Sequence, residues 1–255
     1  MRVTVLGCGP SWGVPRIGED WGACDPKNPK NRRTRCSLLV EDGGQTVLID
    51  TPPDLRQQLL TAQVRRIDAV LFTHAHADHS HGIDDLRSVN RMIGKVLPIY
   101  ADPHTMGELK ARFRYIFTPV DSKAPAFYKP TLDPHEFTGP FTAAGMTIVP
   151  FEQDHGFSKT MGFRFGRMAY STDVKLLDDA AFAALQGIDL WVVDCIRQAP
   201  HTTHSHIERT LGWIDRVKPR RAILTHMDES LDYEALRQAL PPGVEPGFDG
   251  LVAEL

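Results

Sequence analysis

The sequence is poor in cysteine and has no excess of positive charge, and each shortage excludes a class of protein. Cys8, Cys24, Cys36 and Cys195 are scattered without a C-x-x-C pair, which predicts reduced thiols in the cytoplasm rather than a disulfide framework. The net charge of -3 gives no general attraction for nucleic acid. No apolar run approaches the roughly 20 residues of a membrane span. The first residues, 1–7, alternate like a strand, so a signal peptide is not expected.

What remains is the composition of an ordinary globular protein, with 42% hydrophobic, 24% charged and 8% aromatic residues. Because nothing in the 255 residues resembles a linker, we expect one domain over residues 1–255. The glycine-rich loop Gly7–Pro15 follows the first predicted strand. It matches neither G-x-G-x-x-G nor a P-loop, so nucleotide binding of those types is disfavoured.

The most informative stretch is Thr73-His74-Ala75-His76-Ala77-Asp78-His79, which follows the apolar run Ile67–Phe72. Imidazole and carboxylate together suit divalent ions such as zinc, manganese, iron or nickel. In an extended strand end His74 and His76 point the same way, while Asp78 and His79 can reach a second position. The stretch therefore predicts two metal ions rather than one. A solvated, histidine-rich loop is the alternative, and the preceding buried strand argues against it.

Three further residues stand at predicted strand ends, where additional metal ligands are needed. His155 follows the strand at 147–151, Asp173 follows residues 169–172, and His226 ends the strand at 221–225. Each alone is more often a satisfied polar residue than a ligand. Together with the histidine stretch they supply the nitrogen and oxygen donors that two metals require, including a carboxylate able to bridge them.

The hydrophobic pattern predicts two similar halves. In the first, residues 37–40 and 46–50 form a hairpin through Asp42-Gly43-Gly44. In the second, strands near 146–151, 161–165 and 168–171 precede a helix that carries Leu176, Leu177, Ala180 and Leu185. We expect each half to be a sheet covered by helices, with the two sheets packed against each other.

Four other features have more than one interpretation each. Asp50 either supports a metal ligand or caps the next helix, and the basic run within residues 16–35 is either a solvated loop or brings a guanidinium to an anion. The aromatic stretch 115–130 is a lid, a partner contact or a packed connection. In His201–His206, a histidine at the start of the helix that follows is placed to act as a general acid, unless all three face solvent.

The order of these motifs resembles that of the metallo-β-lactamase superfamily, whose signature is H-x-H-x-D-H followed by lone later ligands. The narrower resemblance is to its phosphoribosyl 1,2-cyclic phosphate phosphodiesterase branch. It rests on the loop Gly7–Pro15, the run Asn31–Arg35, the pair Thr203-His204 and the ending Pro241–Gly250.

This resemblance implies an α/β fold, a four-layer αββα sandwich of two mixed sheets flanked by helices. It implies two divalent ions, zinc or manganese being favoured. His74, His76 and His155 would hold one ion, Asp78, His79 and His226 the other, and Asp173 would bridge. His204 would protonate the leaving group, His206 being the weaker match; Asp78 would orient the nucleophile, and Arg35 and Ser11 would bind substrate.

One departure from the branch concerns a separate structural zinc, which relatives bind through closely spaced cysteines and a histidine three residues past the last ligand. Here those places hold Glu19, Trp21, Cys24 and Glu229. We therefore predict that the third metal is absent.

The resulting hypothesis is a dinuclear phosphodiesterase that cleaves a small cyclic phosphodiester with a hydroxide bridging the two ions. The alternatives are an RNA-end nuclease of the tRNA-processing type, a thioester or lactam hydrolase on the same site, and a metal-binding protein without turnover. A small-molecule substrate is expected, with neither a membrane nor a nucleic acid as partner. A homodimer is left open.

Overall fold

A computed structural model describes residues 1–118 and 127–255 of the chain, and these residues form two sheets with helices around them. The strands are Arg2–Gly7 (β1), Ser37–Asp42 (β2), Gln45–Ile49 (β3), Ala69–Leu71 (β4), Leu97–Ala101 (β5), Leu132–Glu136 (β6), Phe141–Ala143 (β7), Met146–Asp154 (β8), Lys159–Phe165 (β9), Met168–Ser171 (β10), Leu190–Asp194 (β11), Arg221–Thr225 (β12), Val244–Pro246 (β13) and Val252–Glu254 (β14). The helices are Leu55–Thr61 (α1), Ala77–Ser80 (α2), Leu86–Ile93 (α3), Pro103–Arg112 (α4), Asp179–Ala184 (α5), Ile207–Val217 (α6) and Tyr233–Ala239 (α7).

The two sheets have matching topologies, as the pattern of two halves predicts. One has the order β14-β1-β2-β3-β4-β5-β6 and the other β13-β12-β11-β10-β9-β8-β7. In the first sheet β1, β2 and β3 pair antiparallel, whereas β3, β4, β5 and β6 run parallel. The second sheet likewise changes from antiparallel pairs to parallel ones, at β10. This mixed pairing in two layers is the predicted α/β sandwich.

Alternation along single strands places one face of each sheet in a shared core. Leu38 and Val40 of β2 belong to the cluster between the sheets, together with Phe163 of β9 and Trp191 of β11. Leu39, between them in sequence, joins a second cluster under α1, α3 and α4. Because successive side chains of a strand point to opposite faces, one apolar strand contributes to both layers of packing.

The parallel strands determine where the polar residues meet. β3 and β4 end at one edge of their sheet, and β10, β11 and β12 end at one edge of theirs. Asp50, Asp173 and His226 follow the last residues of β3, β10 and β12, and all three have a left-handed backbone, with φ between 54° and 62°. Such a conformation is uncommon outside glycine and concentrates at functional sites.

The helix predicted in the second half begins later than the sequence pattern indicates. α5 begins at Asp179, not near Leu176, because the Asp178 side chain accepts a hydrogen bond from the Ala181 amide and caps the helix there. All four cysteines are buried free thiols. In the described ranges, no helix has the length and apolar character needed to cross a membrane. The cytoplasmic location stays a prediction.

Candidate dinuclear metal centre

His74, His76 and His155 converge at the edge of the two sheets, with one ring nitrogen of each within 4.8 Å of the others. The first two lie between β4 and α2, and His155 follows β8 directly. The ring centres of His74 and His76 are 4.5 Å apart, and those of His76 and His155 are 5.4 Å apart. These are the three residues predicted to hold the first ion.

A second group of potential ligands lies beside the first. Asp78, His79, Asp173 and His226 each direct a ligand atom into a region where these atoms lie within 4.8 Å of one another. Asp78 and His79 belong to α2, whereas Asp173 and His226 come from the other half of the chain. The site is therefore completed only when the two sheets pack together.

Asp173 lies between the two groups. Its Oδ1 is 3.9 Å from Nε2 of His74 and 3.7 Å from Nε2 of His155. Its Oδ2 is 3.0 Å from Nε2 of His79 and 3.5 Å from Nε2 of His226. Each oxygen thus faces one group, which is the arrangement expected of a bridging carboxylate.

The ligand imidazoles are oriented by hydrogen bonds at their other nitrogens. Nδ1 of His79 is 2.7 Å from Oδ2 of Asp50, which also accepts from the Thr73 hydroxyl. Nδ1 of His155 donates to the Thr203 carbonyl at 2.9 Å. Such partners fix the ring and leave Nε2 free for a metal. Asp50 is therefore a supporting residue, one of its two predicted roles, and its side chain does not cap α1.

The donor set fits divalent cations. Nε2 of His74 and Nε2 of His226 are buried without a hydrogen-bond partner in the described part of the chain, a costly arrangement that a metal would relieve. Burial, together with the neighbouring imidazoles, lowers the pKa of His74, and burial lowers that of His155. Both shifts favour the neutral form, the one that binds metal.

The second group carries more negative charge. Although burial opposes it, the carboxylate of Asp173 and its neighbours raise the pKa of His226 to about 9. Burial also opposes a rise in the pKa of His79, which the carboxylates of Asp173, Asp78 and Asp50 nevertheless raise. A cation at this position would replace the protons that these imidazoles otherwise attract.

His204 lies against both groups, and His206 does not. The ring of His204 stacks on that of His226 with centres 4.5 Å apart, and Nε2 of His204 is 3.9 Å from Oδ1 of Asp173. Its Nδ1 is 3.3 Å from Oδ2 of Asp194, at the end of β11. His206 precedes α6 and pairs through a β-bridge with Arg197, away from the cluster.

The two predicted substrate-binding residues occupy the neighbouring loops. Arg35 donates from Nη1 to Oδ1 of Asp54 at 3.1 Å. Ser11 is exposed in a turn closed by the Gly13 amide and the Pro10 carbonyl. This loop reaches the metal cluster through the Met227 amide, which donates to the Cys8 carbonyl. Of the predicted aromatic stretch, residues 119–126 lie outside the described residues.

The residues at the positions where relatives are expected to bind a third metal make other contacts in this structure. The Cys24 thiol donates to the Leu231 carbonyl and accepts from Nη1 of Arg33. The Glu229 carboxylate accepts from Nε1 of Trp12 at 2.9 Å and pairs with Arg16. Cys24 and Glu229 thus have protein partners, and the absence of the third ion stays a prediction.

Two residues that contact the site, Asp194 and Thr73, were not predicted from the sequence. Asp194 accepts from the amides of Val174 and Ser205 as well as facing His204. Its signal in the sequence is the one used for Asp50, a lone carboxylate closing a buried strand.

Comparison with known proteins agrees with this fold. Residues 45–227 match the family described as the beta-lactamase superfamily domain. The chain therefore belongs to the metallo-β-lactamase superfamily. A crystal structure described as a new diphosphatase from the PhnP family is 35% identical, with a TM-score of 0.91, and the match covers 100% of this chain and 97% of that one. Within the superfamily the chain lies in the PhnP-like branch.

Two sequence relatives have other names. An octanoyltransferase from Porphyromonas gingivalis is 34% identical over 99% of this chain, and a ribonuclease Z from Bradyrhizobium sp. is 30% identical over 54% of it. The matches cover 51% and 46% of those proteins, so they span about half the length of each relative.

Proposed function

We propose that this protein is a dinuclear, metal-dependent phosphodiesterase that cleaves a small cyclic phosphodiester such as phosphoribosyl 1,2-cyclic phosphate. The observation that carries the proposal is the position of Asp173 between two groups of imidazoles, with His204 beside both. The name of the diphosphatase neighbour supports chemistry at phosphorus. That name refers to a diphosphate, whereas the substrate that we propose is a cyclic phosphodiester.

His74, His76 and His155 would hold one ion, Asp78, His79 and His226 the other, and Asp173 both. When bound, two divalent ions lower the pKa of water towards neutrality and neutralise charge on the phosphoryl oxygens. Zinc and manganese suit this mixture of imidazole and carboxylate. The protein contributes the fixed positions of these ligands, which are buried except for His76 and the partly exposed Asp78.

We assign the leaving-group proton to His204. Its Nδ1 faces Asp194, which orients the ring and stabilises the imidazolium. The proton available to substrate is therefore on Nε2, the atom that faces the metal groups. In the proposed reaction this proton moves to the sugar oxygen as its bond to phosphorus breaks.

Three further side chains have proposed roles at the substrate. Asp78 is partly exposed, and we assign it the orientation of the attacking water as well as metal binding. Arg35 is held by Asp54 at one nitrogen, which leaves other N–H groups for a phosphate oxygen. Ser11, on the neighbouring loop, would contribute a hydroxyl.

An RNA-end nuclease is the second candidate, favoured by the match to ribonuclease Z over 141 residues. The net charge of -3 argues against a long RNA substrate, whose phosphates require a basic surface.

The test is a substrate panel on metal-loaded protein. It contains 2′,3′-cyclic nucleotides, bis-p-nitrophenyl phosphate, a tRNA precursor, a thioester and a β-lactam. The proposal predicts turnover of the cyclic nucleotides and of bis-p-nitrophenyl phosphate above the other three compounds. Preferential cleavage of the tRNA precursor would support the second candidate, and preferential hydrolysis of the thioester or lactam would refute both.

A further inference from the structure

One large apolar side chain next to the metal ligands is almost fully exposed. Phe157 lies two residues after His155, in the loop between β8 and β9, and its exposed fraction is 93%. Most phenylalanine side chains are buried because their transfer from water is favourable. An exposed ring at the entrance to a catalytic site is therefore a candidate for contact with substrate.

The loop that carries Phe157 is held in place by the site itself. The His155 amide donates to the Ser158 carbonyl at 2.9 Å, and the Gly156 amide donates to Oδ1 of Asp154. Gly156 has φ +83°, and a Cβ there would lie 2.9 Å from the Thr202 carbonyl oxygen. The loop thus rests on the segment that leads to His204, so Phe157 has a fixed relation to a metal ligand and to the proposed acid.

Two connected clefts lead from the metal ligands to this ring. The inner cleft, about 90 Å³, is bordered by His74, His76 and Arg112. The outer cleft, about 610 Å³, is bordered by Phe137, Phe157 and other residues. The two share His104, Ser158 and Lys159 in their walls.

The walls of the clefts differ in chemistry. Beside the metal ligands the inner cleft has Arg112 and Lys159, although Glu108 pairs with the first and Glu152 with the second. The outer cleft has the exposed ring of Phe157, and its wall includes Phe137, whose side chain is buried in the core. A phosphoryl group suits the inner cleft, and a flat aromatic ring suits the outer one.

We infer that Phe157 stacks on the nucleobase of a second class of substrates, the cyclic phosphodiesters of nucleosides, which this site takes in addition to the base-free phosphoribosyl diester. This inference rests on the proposed phosphodiesterase function and adds a substrate class to it. The sugar would lie near His104 and Lys159, between the base and the scissile phosphate.

The kinetic test compares adenosine 2′,3′-cyclic phosphate with glycerol 1,2-cyclic phosphate, which has the cyclic diester but no base. Phe157→Ala should raise KM for the adenosine substrate about tenfold, a typical loss for one base stack, with kcat within about twofold. It should leave both constants for the glycerol substrate unchanged. Phe157→Trp should retain the wild-type KM, and Ile17→Ala, which removes another exposed apolar side chain, should change neither substrate.

An equal change in KM for both substrates, or no change for either, would overturn the inference. A binding experiment separates it from the proposed function. If wild-type protein hydrolyses neither substrate, the proposed function is wrong, and calorimetry with metal-loaded protein then decides about Phe157. Adenosine 5′-monophosphate should bind about tenfold more tightly than ribose 5-phosphate, and Phe157→Ala should abolish the difference. Equal binding of the two by wild-type protein would refute stacking.

Discussion

Oδ2 of Asp50 lies 2.7 Å from Nδ1 of His79, and both side chains are completely buried. This contact joins the end of β3 to the second group of metal ligands. Oδ1 of Asp50 accepts from the Thr73 amide, so both oxygens are used. An amide in place of the carboxylate has one acceptor only and would direct its NH2 group at a donor.

Asp50→Asn should therefore lower the affinity for the ion at the second group by about 10- to 100-fold. The measurement is a metal titration of the chelator-treated protein. Asp68→Asn is the matched control. Asp68 is also a buried carboxylate, and it accepts from the Thr46 amide. It precedes β4, whereas the histidine stretch follows the other end of this strand. Equal losses of affinity in the two variants would show that Asp50 has no special relation to the metals.

His204→Ala should keep both ions and lose about 10²- to 10⁴-fold in kcat on substrates with alkoxide leaving groups. The loss should be small for p-nitrophenyl esters, whose leaving group needs no proton. His206→Ala is the control, since that residue lies outside the cluster. A loss that is the same for both leaving groups would contradict the role of His204 as an acid.

Arg33 should contribute strongly to stability although it lies in the basic run. It is 1% exposed and donates to the carbonyls of Asp228 and Leu231, in the loop that follows His226. Arg33→Met should lower the free energy of unfolding by about 2 to 4 kcal/mol, because two buried carbonyls each lose one of their donors and the buried guanidinium contacts are removed. Arg32→Met removes an exposed guanidinium over Trp21 and should cost less than about 1 kcal/mol. Urea unfolding of both variants at one metal loading tests this, and equal costs would contradict it.

Asp249 should make stability depend on pH. Burial raises its pKa from 3.8 to about 6, although Thr34 and Cys8 donate hydrogen bonds to it. The folded state therefore binds the proton more tightly than the unfolded state. The contribution of this group is greatest below about pH 4 and is lost as the pH rises through about 6.

Relative to Asp249→Asn, the wild-type protein should lose about 2 kcal/mol of unfolding free energy between pH 4 and pH 7, the part of the linkage of this shift that falls in that range. Urea unfolding of both proteins at each pH, in the same metal buffer, gives this difference. A difference that does not vary with pH would show that Asp249 titrates normally in the folded protein.

The sequence predicted the fold because the relevant signals are local, and the metal ligands stay a prediction whose residues lie close together in the structure. The apolar run before Thr73 and the alternation around Leu39 are visible in short windows. Asp173 and His226 were selected for a related reason, since each stands close after the end of a buried strand. Their convergence depends on the packing of two sheets, which the repeated order of strands and helices predicts, whereas the assignment of each residue to one ion comes from the resemblance to a known family.

Other features depend on contacts between distant parts of the chain. Arg33 belongs to a run of charges typical of a solvated loop, and it is buried because the carbonyls of residues 228 and 231 surround it. The role of Asp194 follows from its contact with His204, which lies ten residues later in the sequence. The exposure of Phe157 depends on a loop that glycine allows to pack against Thr202. None of these relations has a periodic signal in the sequence.

The most direct test of the account is the metal content of the purified protein, measured with its phosphodiesterase activity in the same sample. The account predicts two divalent ions per chain when fully loaded. It also predicts turnover of a cyclic phosphodiester that disappears on chelation and returns as the second ion is restored. A single ion at full activity, or hydrolysis that persists after both ions are removed, would contradict a dinuclear site built on Asp173.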